Sequence, residues 1–213
     1  MLFGAMNHPG EETIPQLETF AKFGFDFVDF TIEPPCAEPE KIDIQKIKES
    51  LEKNRLQIVA HSAYYLQFQS PYLSARQSAI DEMKKVIDVA NSLGAKYCNL
   101  HFNQPLSIFS YKDVVKYYVE SLKNLVGYAS SKNVNLILEN TPTKGKEQFE
   151  AISSVLNQIS EVGLHLDIGH AFIEGGHKMI SDYISFKERI WHIHISENNG
   201  NEDQHLALSD GEK

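Results

Sequence analysis

His61, His101, Glu139, Asp167, His170, His194, Asp203 and His205 share a placement rather than a compact motif. Nearly all close a short apolar run: Val59-Ala60-His61, Asn99-Leu100-His101, Leu136-Ile137-Leu138-Glu139, His165-Leu166-Asp167 and His192-Ile193-His194. His170 follows Asp167 by three, and Asp203-Gln204-His205 lies in the loop after the last run. Imidazole and carboxylate are the donors that suit Zn²⁺, Mn²⁺, Fe²⁺ or Co²⁺. They are also the groups that move protons at neutral pH, with Glu139 and His170 the candidates for that work. Asp203 and His205 are two apart and face the same way if the chain is extended there. One histidine at a strand end is most often a satisfied polar residue. Five histidines and three carboxylates, each at a strand end or the loop beyond it, argue for one shared site.

Other residues are read more simply. His8 and Glu33 follow the first two runs and Tyr64 follows His61 by three; all three are expected to line the pocket. His165 and His192 alternate with Asp167 and His194 one layer deeper, which suits partners that orient ligands. His177 reads as a loop residue. Cys98 reads as a small buried hydrophobe. Tyr111, Tyr117, Tyr118 and Tyr128 read as helix packing.

The elements that must position these residues are legible. Strands are predicted at 2–6, 27–32, 57–62, 97–102, 135–140, 162–168 and 190–196, each short and rich in Val, Ile, Leu or aromatics. Amphipathic helices are predicted at 14–23, 44–54, 74–93, 114–131 and 149–159, with Gly24 and Gly94 at helix C-caps. Strand and helix alternate at intervals of roughly 30–40 residues, the pattern of parallel strands with crossover helices. No glycine-rich phosphate loop follows the first strand, so an α/β barrel of the TIM (β/α)8 type fits better than an open doubly wound sheet. In such a barrel all strand C-termini reach one rim, and the eight residues converge there. The eighth strand is missing from this chain. The expectation is a single domain over 1–213, C-terminally incomplete, with a loop at 209–213. An exposed apolar strip, or a partner chain covering it, is expected where the last strand belongs.

Composition narrows the function classes. The 213 residues are 42 % hydrophobic and 23 % charged, ordinary for a globular protein. Lys plus Arg is 20 and Asp plus Glu is 29, a net charge of −9, which disfavours binding nucleic acid through an overall positive field. Two cysteines, Cys36 and Cys98, make no disulfide framework, so a cytoplasmic chain is expected. No leader is visible and no apolar run reaches membrane-helix length, so no membrane partner is expected. A homodimer is the default assembly.

At these residues the sequence resembles the xylose isomerase-like TIM-barrel superfamily, also called AP endonuclease family 2. That group includes endonuclease IV, sugar isomerases and sugar or sugar-phosphate epimerases. The segments that carry the resemblance are His61-Ser62-Ala63-Tyr64-Tyr65, Asn99-Leu100-His101, Leu138-Glu139-Asn140-Thr141, Leu166-Asp167-Ile168-Gly169-His170-Ala171-Phe172, and His192-Ile193-His194 leading to Asp203-Gln204-His205-Leu206-Ala207-Leu208. They run in this order along the whole chain.

The resemblance implies a divalent metal cofactor, zinc or manganese, of one to three ions. In endonuclease IV-like members, His61, His101 and Glu139 would hold one zinc, and Glu139 would bridge to a second held by Asp167 and His194. His170, Asp203 and His205 would hold a third. In isomerase or epimerase members, Glu139, Asp167 and His194 would hold a single Mn²⁺-like ion, with His170 beside the substrate. Both patterns use one more Glu on a final strand that this sequence does not reach.

The preferred reading is a metal-dependent sugar or sugar-phosphate isomerase or epimerase, moving a proton next to a carbonyl or hydroxyl held by the metal. The alternative is an AP endonuclease that hydrolyses DNA 5′ to abasic sites, which Tyr64 and the full eight-residue set resemble. A non-catalytic metal- or sugar-binding barrel is a third reading. The acidic, proline-rich loop Glu33-Pro34-Pro35-Cys36-Ala37-Glu38-Pro39, the first strand's Met6-Asn7-His8-Pro9-Gly10 and the short loops favour the first.

Overall fold

Alternation at a period of two decides how each strand sits. In β5 (Asn135–Glu139), Leu136 and Leu138 belong to the hydrophobic layer under the helices, while Ile137 and Glu139 lie outside that layer. The same split holds in β4 (Tyr97–His101), where Cys98 and Leu100 face helices and Asn99 and His101 do not. It holds again in β6 (Gly163–Asp167), with Leu164 and Leu166 against helices and His165 and Asp167 opposite. Successive side chains on a strand point to opposite faces, so one face builds the core and the other faces the barrel interior.

The remaining elements are β1 (Gly4–Met6), α1 (Thr13–Phe23), β2 (Phe27–Ile32), α2 (Ile44–Asn54), β3 (Gln57–Ser62), α3 (Leu73–Leu93), α4 (Tyr111–Ser131), α5 (Glu147–Gln158), α6 (Ile168–Ile184) and β7 (Ile190–His194). This computed structural model describes residues 1–106 and 108–208, so the reading of 209–213 as a loop lies outside the described residues. The strands form one parallel sheet in the order β1-β2-β3-β4-β5-β6-β7. That is a TIM-type barrel lacking one strand.

Apolar residues at helical spacing seal the outside. On α3 they are Ile80, Met83, Ile87 and Ala90; on α4 they are Val114, Tyr118, Leu122, Leu125 and Ala129. Gly24 and Gly94 end α1 and α3 in the left-handed conformation, with φ of 83° and 81°. A side chain at either position would be strained, which is why glycine stands there.

Among the described residues β1 and β7 pair with one neighbour each and not with one another. Leu2, Phe3, Ile193 and Ile195 are 53, 61, 46 and 57 % exposed along this opening. They form the expected apolar strip beside a cleft of about 1190 Å³. No described helix is long and apolar enough to cross a membrane. Cys36 is exposed and Cys98 buried, and both are free thiols.

Two readings need correction. No helix was expected between the sixth and seventh strands, yet α6 fills that interval. His177 therefore lies on a helix and not in a loop, its ring 5.2 Å from Phe172. The helical pattern is masked because Gly175 and Gly176 depart from helical geometry and kink α6 at its middle.

Glu174, just before the kink, is a buried carboxylate at 3 % exposure. It accepts the Phe149 amide at 3.0 Å and the Tyr183 hydroxyl at 2.9 Å. It thus caps the first turn of α5, whose own N-cap residue Lys146 makes no side-chain capping bond. Burial pushes its pKa up to about 7, against the pull of those two donors. The unfolded carboxyl titrates near 4.5, so between these values the folded state holds the extra proton. Stability contributed here is present below 4.5 and is lost as pH rises through about 7. Glu174→Gln carries no such titration. Relative to it, the wild type is expected to lose on the order of 2 kcal/mol between pH 4.5 and 8 in urea unfolding, after screening is allowed for. Parallel pH profiles for the two proteins would remove Glu174 from the account.

Candidate metal centre

The barrel register lines up the polar residues of the interior. His101 of β4 pairs laterally with Glu139 of β5, and Glu139 with His165 of β6. Asp167 pairs with His194, and His61 of β3 with Asn99. The strands end here because the chain turns outward. At β6 the Asp167 side chain accepts the His170 amide at 2.7 Å and so caps α6, which throws His170 back over the strand end.

Asn140 holds the Asp167 backbone from both sides, donating to its oxygen at 3.0 Å and accepting its amide at 2.9 Å. It also offers its own carbonyl oxygen to His170 Nδ1 at 2.8 Å. This side chain continues the ladder where β5 and β6 stop.

The structure brings the eight residues together as three sets. In each, one N or O atom per residue lies within 4.8 Å of the others: His61, His101 and Glu139; Glu139, Asp167 and His194; His170, Asp203 and His205. Glu139 is shared by the first two sets and is 2 % exposed. Its Oε2 accepts from Asn99 Nδ2 at 2.7 Å and lies 3.2 Å from His101 Nε2, 3.3 Å from His165 Nδ1 and 3.6 Å from His61 Nε2. Its Oε1 lies 3.6 Å from His194 Nδ1 and 3.9 Å from His170 Nδ1. In the third set Asp203 Oδ2 is 3.2 Å from His170 Nε2 and 3.0 Å from His205 Nε2. His205 has φ of 47°, so the segment is not simply extended, yet the two side chains still meet.

These donors fit a divalent cation. His61 Nε2 and His101 Nε2 are 3.1 Å apart and both face a carboxylate oxygen, as nitrogen ligands to a common centre would. Asp167 Oδ2 is buried without a hydrogen bond, 3.7 Å from His194 Nδ1. A buried acceptor with no partner is costly, and a cation would satisfy it.

Charge is arranged to the same end. Burial raises the Glu139 pKa, but His165, His101, His194 and His61 outweigh it and hold the carboxyl well below its ordinary range. Burial drives His101 down to about 3, so its ring is neutral and ready to donate a lone pair. His170 goes the other way. Burial lowers it, but the Asp203 hydrogen bond and the Asp167 and Glu139 charges lift it to about 9. Burial raises Asp203, and hydrogen bonds from His170 and His205 more than reverse that. Burial raises Asp167, with the Glu139 charge adding to it, against the pull of His170 and His194.

A cavity of about 490 Å³ opens above the centre. His61, His101, Glu139, His170, His194, Asp203 and His205 line it, with Glu33, Tyr64, Gln104 and Thr141 around them. His8 is not among the lining residues. Its backbone amide donates to Gln16 Oε1 at 2.6 Å, and its own Nδ1 accepts the Gly10 amide at 3.1 Å, holding its loop. His165 is fully buried against Glu139, whereas His192 borders the larger cleft and bonds Asp29. Tyr118 and Cys98 are fully buried.

One residue was missed from the sequence. Asp29, in the middle of β2, is 3 % exposed and faces His61, His192 and His194. A carboxylate inside the apolar run Phe27-Val28-Asp29-Phe30 was the signal that could have found it.

A family model described as xylose isomerase-like TIM barrel matches residues 17–213. An uncharacterized protein of Methanocaldococcus jannaschii is 28 % identical over 137 residues, 64 % of this chain and 53 % of that protein. A "Probable endonuclease 4" of Thermotoga petrophila is 26 % identical over 121 residues, 54 % of this chain and 41 % of that protein. The chain spans about half the length of the curated relatives it matches. A solved D-tagatose 3-epimerase-like protein superposes with a TM-score of 0.86 at 21 % identity, over 99 % of this chain and 82 % of that one.

Proposed function

Because the chain belongs to the xylose isomerase-like TIM-barrel family, we propose that it is a divalent-metal-dependent sugar isomerase or epimerase, moving a proton at a carbon next to a carbonyl. The observation that carries this reading is the set Glu139, Asp167 and His194 beneath a concave cavity of about 490 Å³. That volume lies within the range of small-molecule sites, roughly 300–1,000 Å³. Its described lining holds the carboxylates Glu33, Glu139 and Asp203 among imidazoles and no Lys or Arg, an environment for neutral hydroxyls more than for phosphate. The likeness to a D-tagatose 3-epimerase-like fold supports the same choice.

Glu139, Asp167 and His194 would hold a divalent ion, which would supply Lewis-acid stabilisation of negative charge on oxygen. The chain does the rest. Glu139, kept anionic by four imidazoles and buried facing the cavity, would bind the ion and accept the proton from the carbon beside the carbonyl. His170 is fixed by Asn140 at Nδ1 and turns Nε2 towards Asp203, placing a charged imidazole as the acid beside the substrate. Glu33, Tyr64 and Gln104 offer hydroxyl partners at the mouth. The test is incubation of the metal-loaded protein with ketohexoses and ketohexose phosphates in D₂O, followed by NMR. Deuterium at the carbon beside the carbonyl, with appearance of an epimer or isomer, is the expected result. No exchange with any of these sugars would contradict it.

A second reading has one observation in its favour. The third set, His170, Asp203 and His205, completes a three-metal arrangement, and the likeness to a probable endonuclease 4 agrees with it. Cleavage of duplex DNA at abasic sites without any sugar exchange would favour that reading.

A further inference from the structure

Asp29 is a carboxylate enclosed by imidazoles from two strands that are not neighbours in the sheet. Its Oδ2 accepts from His192 Nε2 at 2.8 Å and from His194 Nε2 at 2.7 Å, both on β7. Its Oδ1 lies 3.4 Å from His61 Nδ1 on β3. The 2.7–2.8 Å separations are those of charge-assisted hydrogen bonds.

What matters is the nitrogen each ring leaves over. His194 spends Nε2 on Asp29 and turns Nδ1 to Glu139 at 3.6 Å and Asp167 at 3.7 Å. His61 turns Nδ1 towards Asp29 Oδ1 at 3.4 Å, an ion-pair distance at which Oδ1 makes no hydrogen bond, and turns Nε2 to Asn99 Nδ2 at 2.9 Å, His101 at 3.1 Å and Glu139 at 3.6 Å. An imidazole that keeps its proton towards a carboxylate offers its other nitrogen as a lone pair. His192 makes the third contact, and its ring stands against Phe27 at 5.7 Å, which helps to fix Asp29 from the β7 side.

We infer that Asp29 is a positioning residue that sets the ring orientation of His194 and His61 together, and with it which ring nitrogen faces the donor sets, so that one carboxylate tunes two of the three donor sets. The inference rests on the reading of those sets as metal sites. Asp29 is not itself among the residues that line the cavity of about 490 Å³; it borders the larger cleft instead. It acts through the two histidines.

The test compares wild type, Asp29→Asn and Asp29→Glu as full chains. Zinc affinity is read by competition with a chromophoric chelator, beside urea unfolding of the metal-free proteins. Asp29→Asn is expected to weaken zinc binding by about 10- to 100-fold. Asp29→Glu is expected to recover part of that loss. Should Asp29→Asn not fold, nitrogen-15 NMR of histidines in the zinc-loaded wild type decides the matter. His194 should retain its N–H at Nε2, and His61 at Nδ1. Unchanged zinc affinity in a folded Asp29→Asn, or the opposite ring nitrogens carrying the protons, would overturn the assignment while leaving the metal reading in place. Failure of the wild type itself to bind zinc would overturn both.

Discussion

Glu139→Gln lowers turnover of the metal-loaded protein by about 10³-fold or more and strips the bound metal, while the barrel still folds. Of the three donor sets described above, the first two share Glu139 alone. Glutamine keeps its size and one carbonyl oxygen but removes the negative charge. Its amide nitrogen is then forced against either Asn99 Nδ2, itself a donor at 2.7 Å, or the imidazoles around Oε1. Both donor sets lose an anionic ligand in one change, and the imidazoles lose the charge that offsets their burial. Loss of a positioned acid–base group alone is worth roughly 10²–10⁴-fold. The loss of metal adds to that. Turnover in the sugar-exchange assay and metal content by mass spectrometry check it together. A variant with wild-type turnover would remove Glu139 from the mechanism.

Tyr118→Ala destabilises the protein by about 4 kcal/mol in urea unfolding. Tyr118 reaches from α4 to the strand end that carries His101, and it is fully buried. Its hydroxyl donates to the His101 carbonyl oxygen at 2.7 Å and accepts the Asn103 amide at 2.6 Å. Its ring stacks on Phe102 at 4.5 Å. Alanine removes the ring, leaves a cavity and orphans two backbone groups. Tyr118→Phe keeps the ring and exposes the polar part alone, at about 1–3 kcal/mol. The phenylalanine variant should therefore fall between wild type and alanine. Equal stability of all three would show that the hydroxyl and ring do not hold this strand end.

Legibility followed burial. Each strand was found because short β-branched and aromatic runs recur between helical patterns, and β2 and β3 have the expected bounds. The others are one or two residues short at one end, and β6 is one short at each end. At β5 and β6 the reason is physical: Asn140 pairs with the Asp167 backbone through its side chain, and Asp167 caps a helix. Helix α6 was invisible because Gly175 and Gly176 break its pattern and Glu174 caps a neighbouring helix. Its signal was Asp167 followed at three residues by His170, a capping arrangement that reads equally well as a pair of ligands. The eight-residue cluster was legible from position alone, since parallel strands carry their C-terminal residues to one rim. Asp29 was not, because it lies below that rim within an apolar run and its partners come from β3 and β7. Sequence spacing carries no trace of a contact across 163 or 165 residues.

The central claim is that the three donor sets around Glu139 bind divalent metal. The measurement that tests it most directly is the metal content of the purified protein, by mass spectrometry, after loading with zinc or manganese and removal of free ions. The account predicts at least one tightly held ion per chain in the wild type and a near-complete loss in Glu139→Gln. A folded wild-type protein that retains no zinc or manganese, or a variant that retains as much as wild type, would contradict it.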